Sequence, residues 1–312
     1  MPSFSLDQVP SQAGRTVVIT GSNTGLGLTA AKTLAGAGAQ VVLACRNQTT
    51  GQEALEAVGR AAERSGAPAP TLVRLDLGDL ASVSEAAKTI DAAVEQIDVL
   101  INNAGIMAVP MQRTVDGFES QIGTNHLGHF ALTGQLLPAL LRAASPRVVT
   151  LASVAHRQGG VSLRDLNWES RRYTRMGAYS QSKLANLLFS GELARRSAAA
   201  GLPLISAAAH PGVAATGLFD AMVPPIPGAL AVTHAGLRIV GNPPKNAAES
   251  QVYAATMADV RNDDYLGPKA FGGMRGPVAH CGRTRAARDE KRAAGLWDLS
   301  AELTGQHYPE LG

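Results

Sequence analysis

The chain has 312 residues, with 28 Lys and Arg against 25 Asp and Glu, and this formal charge of +3 is too small a surplus to mark a nucleic-acid binder. An apolar fraction of 45% excludes disorder, and the two distant cysteines, Cys45 and Cys281, exclude a disulfide framework and suit a reducing cytoplasm. With 53 Ala and only 13 aromatic residues, a fine-grained core with helices lying close to a sheet is expected.

Residues 1–14 lack a basic start followed by an apolar run, so no signal peptide is expected. Thr16–Thr20 reads as a buried strand and Leu26–Ala37 as a helix. Between them, Thr20-Gly21-Ser22-Asn23-Thr24-Gly25-Leu26-Gly27 joins strand to helix through a glycine-rich turn, the order that builds a phosphate site. Gly21 permits the sharp turn, Gly25 lets backbone amides approach a pyrophosphate, and Gly27 lets the helix pack on the strand. Such loops also serve as plain connections; the position at the first βα junction favours the functional reading.

Gln40–Ala44 is the second strand, and it ends in Ala44-Cys45-Arg46-Asn47. A dinucleotide site selecting a free ribose hydroxyl tends to place an acid here, and there is none. Arg46 instead offers a guanidinium that can stack on adenine and pair with a 2′-phosphate, which points to NADP(H) over NAD(H). A solvent-facing Arg at a strand end is the bland alternative. A helix over Thr50–Arg64 leads to the strand Thr71–Leu75, after which Asp76 and Leu77 can meet the adenine edge or cap the next turn. The helix Val83–Gln96 precedes the strand Val99–Asn102, which ends in Asn102-Asn103-Ala104-Gly105, small residues that admit a cofactor or simply turn the chain. Ile106, Met107, Val109 and Met111 follow as a candidate apolar substrate wall, with ordinary core as the competing reading.

One long helix is expected over Gly117–Arg142. Its His126 and His129 lack a third ligand and read as packing residues, so no metal is expected. Arg147–Leu151 is the fifth strand, with Ser153 at its carboxyl end, the edge where open α/β sheets bind ligands; a helix-cap or turn serine is the competing reading. In the helix Gly177–Ala199, Tyr179 and Lys183 stand at i and i+4 on one face, where an ammonium is expected to draw a phenol's pKa down toward working pH. Leu204–Ala208 is the sixth strand. The uncharged stretch Ser197–Phe219 is broken by Gly201, Pro203, Pro211 and Gly212, so no integral membrane segment is expected. The apolar segment 216–244, with Pro224, Pro225 and Pro227, reads as a substrate lid; Leu218, Phe219, Met222, Val223 and Ile226 would face the wall after the fourth strand. Asn242-Pro243-Pro244 then starts a helix, Tyr265–Ala270 is a seventh strand, and the charged run Arg283–Arg292 reads as a solvated helix face or a terminal tail.

The expected fold is α/β: a single doubly wound Rossmann-type domain over residues 1–312, with a mostly parallel sheet of about seven strands and a C-terminal substrate lid.

Taken together, Thr20 to Gly27, Asn102 to Gly105, Ser153, Tyr179 and Lys183 resemble the short-chain dehydrogenase/reductase family in order and spacing across nearly the whole chain. Ala44 to Asn47, Asn125 to Phe130, Tyr179 to Asn186 and Leu296 to Ser300 resemble its retinol-dehydrogenase and WW-domain-oxidoreductase-like branch. Ser153 and Tyr179 are 26 positions apart, wider than in most of the family, and the added segment, with Asp165-Leu166-Asn167-Trp168, is again similar to that branch. The resemblance implies that Tyr179 exchanges a proton with an alcohol or carbonyl, Lys183 lowers its pKa and bonds the nicotinamide ribose, and Ser153 orients the substrate oxygen. It implies that Asn125 holds a water relaying protons through Lys183, and that Pro211, Gly212, Val213 and Thr216 belong to the cofactor motif after the sixth strand. Hydride would pass directly between NADP(H) and an apolar carbonyl or alcohol substrate. A homo-oligomer is expected on the resemblance alone. Reduction of a polarised carbon–carbon double bond is the alternative chemistry, and a catalytically silent NADP(H)-sensing protein the non-enzymatic one.

Overall fold

The computed structural model describes residues 4–212 and 244–312. Its seven parallel strands are β1 (Thr16–Thr20), β2 (Gln40–Cys45), β3 (Thr71–Arg74), β4 (Val99–Asn102), β5 (Arg147–Leu151), β6 (Ile205–Ala209) and β7 (Tyr265–Ala270). An eighth, β8 (Arg275–His280), closes the edge antiparallel to β7, giving one sheet in the order β3-β2-β1-β4-β5-β6-β7-β8. Sequence reading did not foresee β8, because Gly276 and Pro277 break its strand pattern and only Val278 is buried; a short, proline-bearing strand is tolerated at an edge.

The central strands are nearly continuous apolar runs because both faces of the sheet are covered. Successive side chains point to opposite faces. Val17, Ile19, Val41 and Leu43 pack against α1 (Gly25–Gly36), α2 (Gln48–Ser65) and α7 (Pro244–Thr256), whereas Val18, Val42 and Leu100 pack on the other side. There they meet α3 (Leu80–Ala93), α5 (Gly128–Leu141) and the far end of α6 (Arg175–Ala199). The strand order reverses between β1 and β4, so the connections leaving these two strands diverge and open a crevice at their carboxyl ends.

Helix starts lie where side chains cap them. Asn47 Oδ1 accepts the Thr50 N–H at 3.1 Å and opens α2, and Asp79 Oδ1 accepts the Ala81 and Ser82 N–H groups at 3.0 and 3.2 Å and opens α3. The single helix expected over Gly117–Arg142 is divided: α4 (Ser120–Ile122) runs into a π-helical turn, Gly123–Leu127, before α5. Two glycines of this stretch pack too closely on their neighbours to carry a side chain. A Cβ on Gly128 would lie 2.3 Å from the Leu77 carbonyl oxygen, and one on Gly123 would lie 2.5 Å from Thr114 Cγ2. The charged run Arg283–Arg292 is not one helix face either: Arg283 pairs with Asp263 at 2.6 Å, and α8 (Glu290–Thr304) begins only at Glu290. The expected lid lies outside the described residues except for Pro244, which opens α7. No helix among the described residues is long and apolar enough to cross a membrane.

Asp79→Ala removes one cap and leaves the core untouched. It is expected to cost about 1 kcal/mol, read as a fall in Tm of about 2 °C in calorimetry.

Candidate active site

The carboxyl ends of β1, β4 and β5 open into a cavity of about 900 Å³. At its floor the turn after β1 and the turn after β4 touch: Gly21, at φ +64°, leaves no room for a side chain, since a Cβ there would lie 2.9 Å from Ala104 Cα. A Cβ on Gly27 would lie 2.4 Å from the Gly21 carbonyl oxygen, so both glycines are required by contact. Asn23, Thr24, Gly25 and Leu26 complete this wall, at the amino terminus of α1, where unpaired amides and the helix dipole favour an anion. Ser22 does not line the cavity. It is fully buried and faces away from the cavity, its hydroxyl donating to the Ile19 carbonyl at 3.0 Å.

Arg46, Asn47, Asp76 and Leu77 line the far end. Arg46 is exposed, and its guanidinium makes no hydrogen bond or ion pair among the described residues. Asn47 is occupied as the α2 cap, and Asp76 Oδ1 accepts the Gly78 N–H at 3.0 Å, so each also serves its own turn.

Asn103, Ala104 and Gly105 bring the end of β4 to the cavity. Asn103 Nδ2 straps the two turns by donating to the carbonyls of Thr20 (2.8 Å) and Gly21 (3.2 Å). Thr20 Oγ1 accepts the N–H groups of Asn103 and Ala104, both at 3.0 Å, and lies 2.9 Å from His129 Nε2. The other nitrogen of that ring, Nδ1, lies 3.0 Å from the Asn125 carbonyl oxygen, which can only accept. His129 is therefore protonated on Nδ1, and the Thr20 hydroxyl donates to Nε2. Burial lowers the His129 pKa to about 4, which keeps the ring neutral and this arrangement fixed.

Asn125 sits in the π-helical turn and does not line the cavity. Its Oδ1 accepts the Ile106 N–H at 2.8 Å, and its Nδ2 donates to the Ile106 carbonyl (2.9 Å) and to Ser182 Oγ (2.8 Å). With its carbonyl bonded to His129, its polar atoms are all engaged within the protein. His126, its neighbour, lies 2.9 Å from Ser300 Oγ, whose own proton goes to the Leu296 carbonyl, so His126 donates from Nε2 and ties the turn to α8. Burial lowers the His126 pKa to about 3.

Ser153 follows β5, and Tyr179 and Lys183 come from the first turns of α6. Ser153 Oγ accepts the Ala155 N–H at 3.2 Å, and its hydroxyl is near enough to the Tyr179 phenol to lower its pKa. All three residues face the cavity. Lys183 Nζ donates to the Leu151 carbonyl at 3.0 Å and stands 5.9 Å from the centre of the Tyr179 ring. Burial lowers its pKa to about 8. The Tyr179 phenol is shifted upward, by burial, with the Ser153 hydroxyl opposing the shift. This corrects the expectation that Lys183 draws Tyr179 down: the ammonium is directed at Leu151, and desolvation of the phenolate is the larger effect.

Pro211 and Gly212 also line the cavity. The Gly212 N–H donates to His210 Nδ1 at 3.2 Å, and its φ of +75° presses it on Met274, where a Cβ would lie 2.3 Å from the carbonyl oxygen. Val213 and Thr216 lie outside the described residues. Of the expected apolar wall, Ile106 and Met107 line the cavity and Val109 and Met111 do not. Sequence reading missed Ala155, Gln158 and Met176, which line the same side; Met176, three residues before Tyr179 on α6, carried a signal in its helical spacing.

Lys183 offers a sign-specific test. Its folded-state pKa of about 8 lies below the usual amine value of 10.5, so between these values the unfolded state holds a proton that the folded state has lost, and stability rises with pH. The Leu151 carbonyl keeps a donor in Asn186 Nδ2 (2.9 Å) when Lys183 is removed. Lys183→Met is expected to melt above the parent at pH 7, with the gap narrowing as pH rises from 8 to 10.5. Melting curves across that range check it; a gap that widens with pH contradicts the assignment.

The family model described as short chain dehydrogenase matches residues 15–225. Retinol dehydrogenase 13 of Homo sapiens is 38% identical over 97% of this chain and 89% of its own. Retinol dehydrogenase 12 of Homo sapiens is 39% identical over 94% and 87%. The crystal structure of an uncharacterized protein from Mycobacterium paratuberculosis aligns over 98% of this chain and 99% of its own, at 46% identity and a TM-score of 0.80. With a family match over the cofactor turn, strands β1 to β6 and the Tyr179 helix, and with relatives spanning the chain, the protein belongs to the short-chain dehydrogenase family of oxidoreductases, in its retinol-dehydrogenase-like branch.

Proposed function

We propose that this chain is an NADP(H)-dependent oxidoreductase that interconverts a carbonyl and an alcohol on an apolar substrate, with Tyr179 as the acid and base. The observation that carries the reading is the Ser153–Tyr179 pair at one wall of a 900 Å³ cavity whose opposite floor is the side-chain-free cradle of Gly21, Gly25 and Gly27. That cradle fits a dinucleotide pyrophosphate. Gly21 to Gly27 would hold the phosphates, Arg46 a 2′-phosphate, Asp76 and Leu77 the adenine, Asn103 to Gly105 and Lys183 the nicotinamide ribose, and Pro211 and Gly212 the carboxamide end. When bound, the cofactor supplies hydride chemistry, which needs no metal.

The residues of the chain move and place the proton. Burial keeps the Tyr179 phenol protonated at neutral pH, the form that donates to a carbonyl oxygen, and so supports the reductive direction. Ser153 would hold that oxygen beside the phenol and stabilise charge developing on it. Lys183 carries its positive charge behind Tyr179, held by the Leu151 carbonyl, and would favour the phenolate left after transfer. Asn125 supports this arrangement through Ile106 and Ser182, so its part is to position the wall and the Tyr179 helix. Ile106, Met107 and Met176 support an apolar substrate. The proposal extends to one domain acting in the cytoplasm as a homo-oligomer, on family resemblance and the two free cysteines.

Tyr179→Phe is expected to lower kcat by about 100-fold or more in NADPH consumption over a panel of aldehydes and ketones, while NADPH affinity by fluorescence titration stays within two-fold of the parent, taken as about 0.4 kcal/mol. Full retained rate would overturn the assignment of the acid, and product identification separates carbonyl from carbon–carbon double-bond reduction. Arg46→Ala removes a charge-assisted contact of about 1.5–3 kcal/mol; NADPH is then expected to bind about ten-fold or more weakly with NADH unchanged. Equal loss for both cofactors would count against a 2′-phosphate partner.

A further inference from the structure

The segment between Ser153 and Tyr179 that widens their spacing contributes Ala155, Gln158 and Met176 to the cavity lining. Its last part brings Tyr173 to the wall that follows β4. The Tyr173 hydroxyl lies 3.0 Å from the Val109 carbonyl and 3.2 Å from Glu119 Oε1, and accepts from Gln121 Nε2 at 2.9 Å. Gln121 Oε1 in turn accepts the Ala108 N–H at 2.8 Å. Two consecutive residues of the segment that follows β4 are thus held, Ala108 by its N–H and Val109 by its carbonyl.

Glu119 anchors the set. It is fully buried; Oε1 accepts the Gln121 N–H and Oε2 the Ile122 N–H, both at 2.9 Å, so the carboxyl caps α4 while one oxygen faces Tyr173. The Glu119 N–H donates to Asn167 Oδ1 at 3.0 Å, a second tie from the added segment. Gln181, on the Tyr179 helix, donates to the Leu166 carbonyl at 2.8 Å and accepts from Arg171, so the segment is fastened on the other side as well.

The held wall is under strain. Ala108 has φ +52°, a conformation that costs a residue with a side chain about 1–3 kcal/mol and persists only where surroundings impose it. Between Ile106 and Ala108, Met107 packs with Tyr179, against Ala155 and Met176. Three of these, Met107, Ala155 and Met176, line the cavity beside Tyr179.

We propose that Tyr173, with Glu119 and Gln121, is a latch that holds Met107 and Ala108 against Tyr179, which makes Tyr173 a positioning residue for the size of apolar substrate accepted. The inference rests on the apolar-carbonyl reading above, and names the element that sets its selectivity.

Tyr173→Phe removes the hydroxyl and keeps the ring that meets Trp168 edge-on at 5.6 Å. With NADPH, a long-chain aldehyde is expected to lose about ten-fold in kcat/KM through KM, the equivalent of one hydrogen bond of about 1.4 kcal/mol, while a three-carbon aldehyde keeps its kcat and NADPH its affinity. Hydrogen exchange at the Ala108 amide is expected to accelerate in the same variant and in Gln121→Met. An unchanged chain-length preference together with unchanged exchange overturns the latch. Accelerated exchange in a protein that turns over no carbonyl would sustain the latch and overturn the functional reading, so the two fail separately.

Discussion

The site is organised around a single hydroxyl. Thr20 Oγ1 ends β1, accepts the two amides that turn the chain after β4, and gives its one proton to His129. A parallel sheet cannot supply these bonds itself, because its ladder stops where the two strands diverge. The Ile101 carbonyl, at 3.4 Å, competes for the same proton and loses to His129 Nε2 at 2.9 Å. The crevice that strand order creates is in this way given a fixed floor, and through His129 the floor is joined to the π-helical turn that carries Asn125.

Desolvation, more than charge pairing, sets the chemistry above that floor. Burial lowers Lys183 to about 8 and raises Tyr179, and it keeps His126 and His129 neutral. Lys183, His126 and His129 are each buried with a defined hydrogen bond, which offsets part of that cost. The tyrosine and lysine are thereby held closer to their neutral forms than their spacing on the helix suggests.

Much of this was legible from the residues, and the limits have physical causes. Strands β1, β4 and β5 are readable because residues buried on both faces leave short apolar, β-branched runs. The glycines of the first turn are readable because a side chain there collides with backbone, a local requirement that the order strand, turn, helix exposes. The π-helical turn is not readable, since the apolar periodicity of a short π turn does not separate it from the α-helix around it. Ser22 and Asn125 fit a motif by position, yet their side chains point into the protein; motif spacing constrains the backbone and leaves the side-chain direction to packing.

The wall after β4 shows how two such hidden elements act together. Asn125 bonds both the N–H and the carbonyl of Ile106 from the π-helical turn, and Gln121 and Tyr173 bond Ala108 N–H and Val109 carbonyl from the opposite end. Met107 lies between the two clamps, and its side chain packs on Tyr179. A wall fixed at both ends cannot swing to suit a substrate. The space beside the Tyr179 phenol is then a matter of side-chain volume at Met107, Ala155 and Met176, and the backbone that sets it is held by polar groups that never face the cavity.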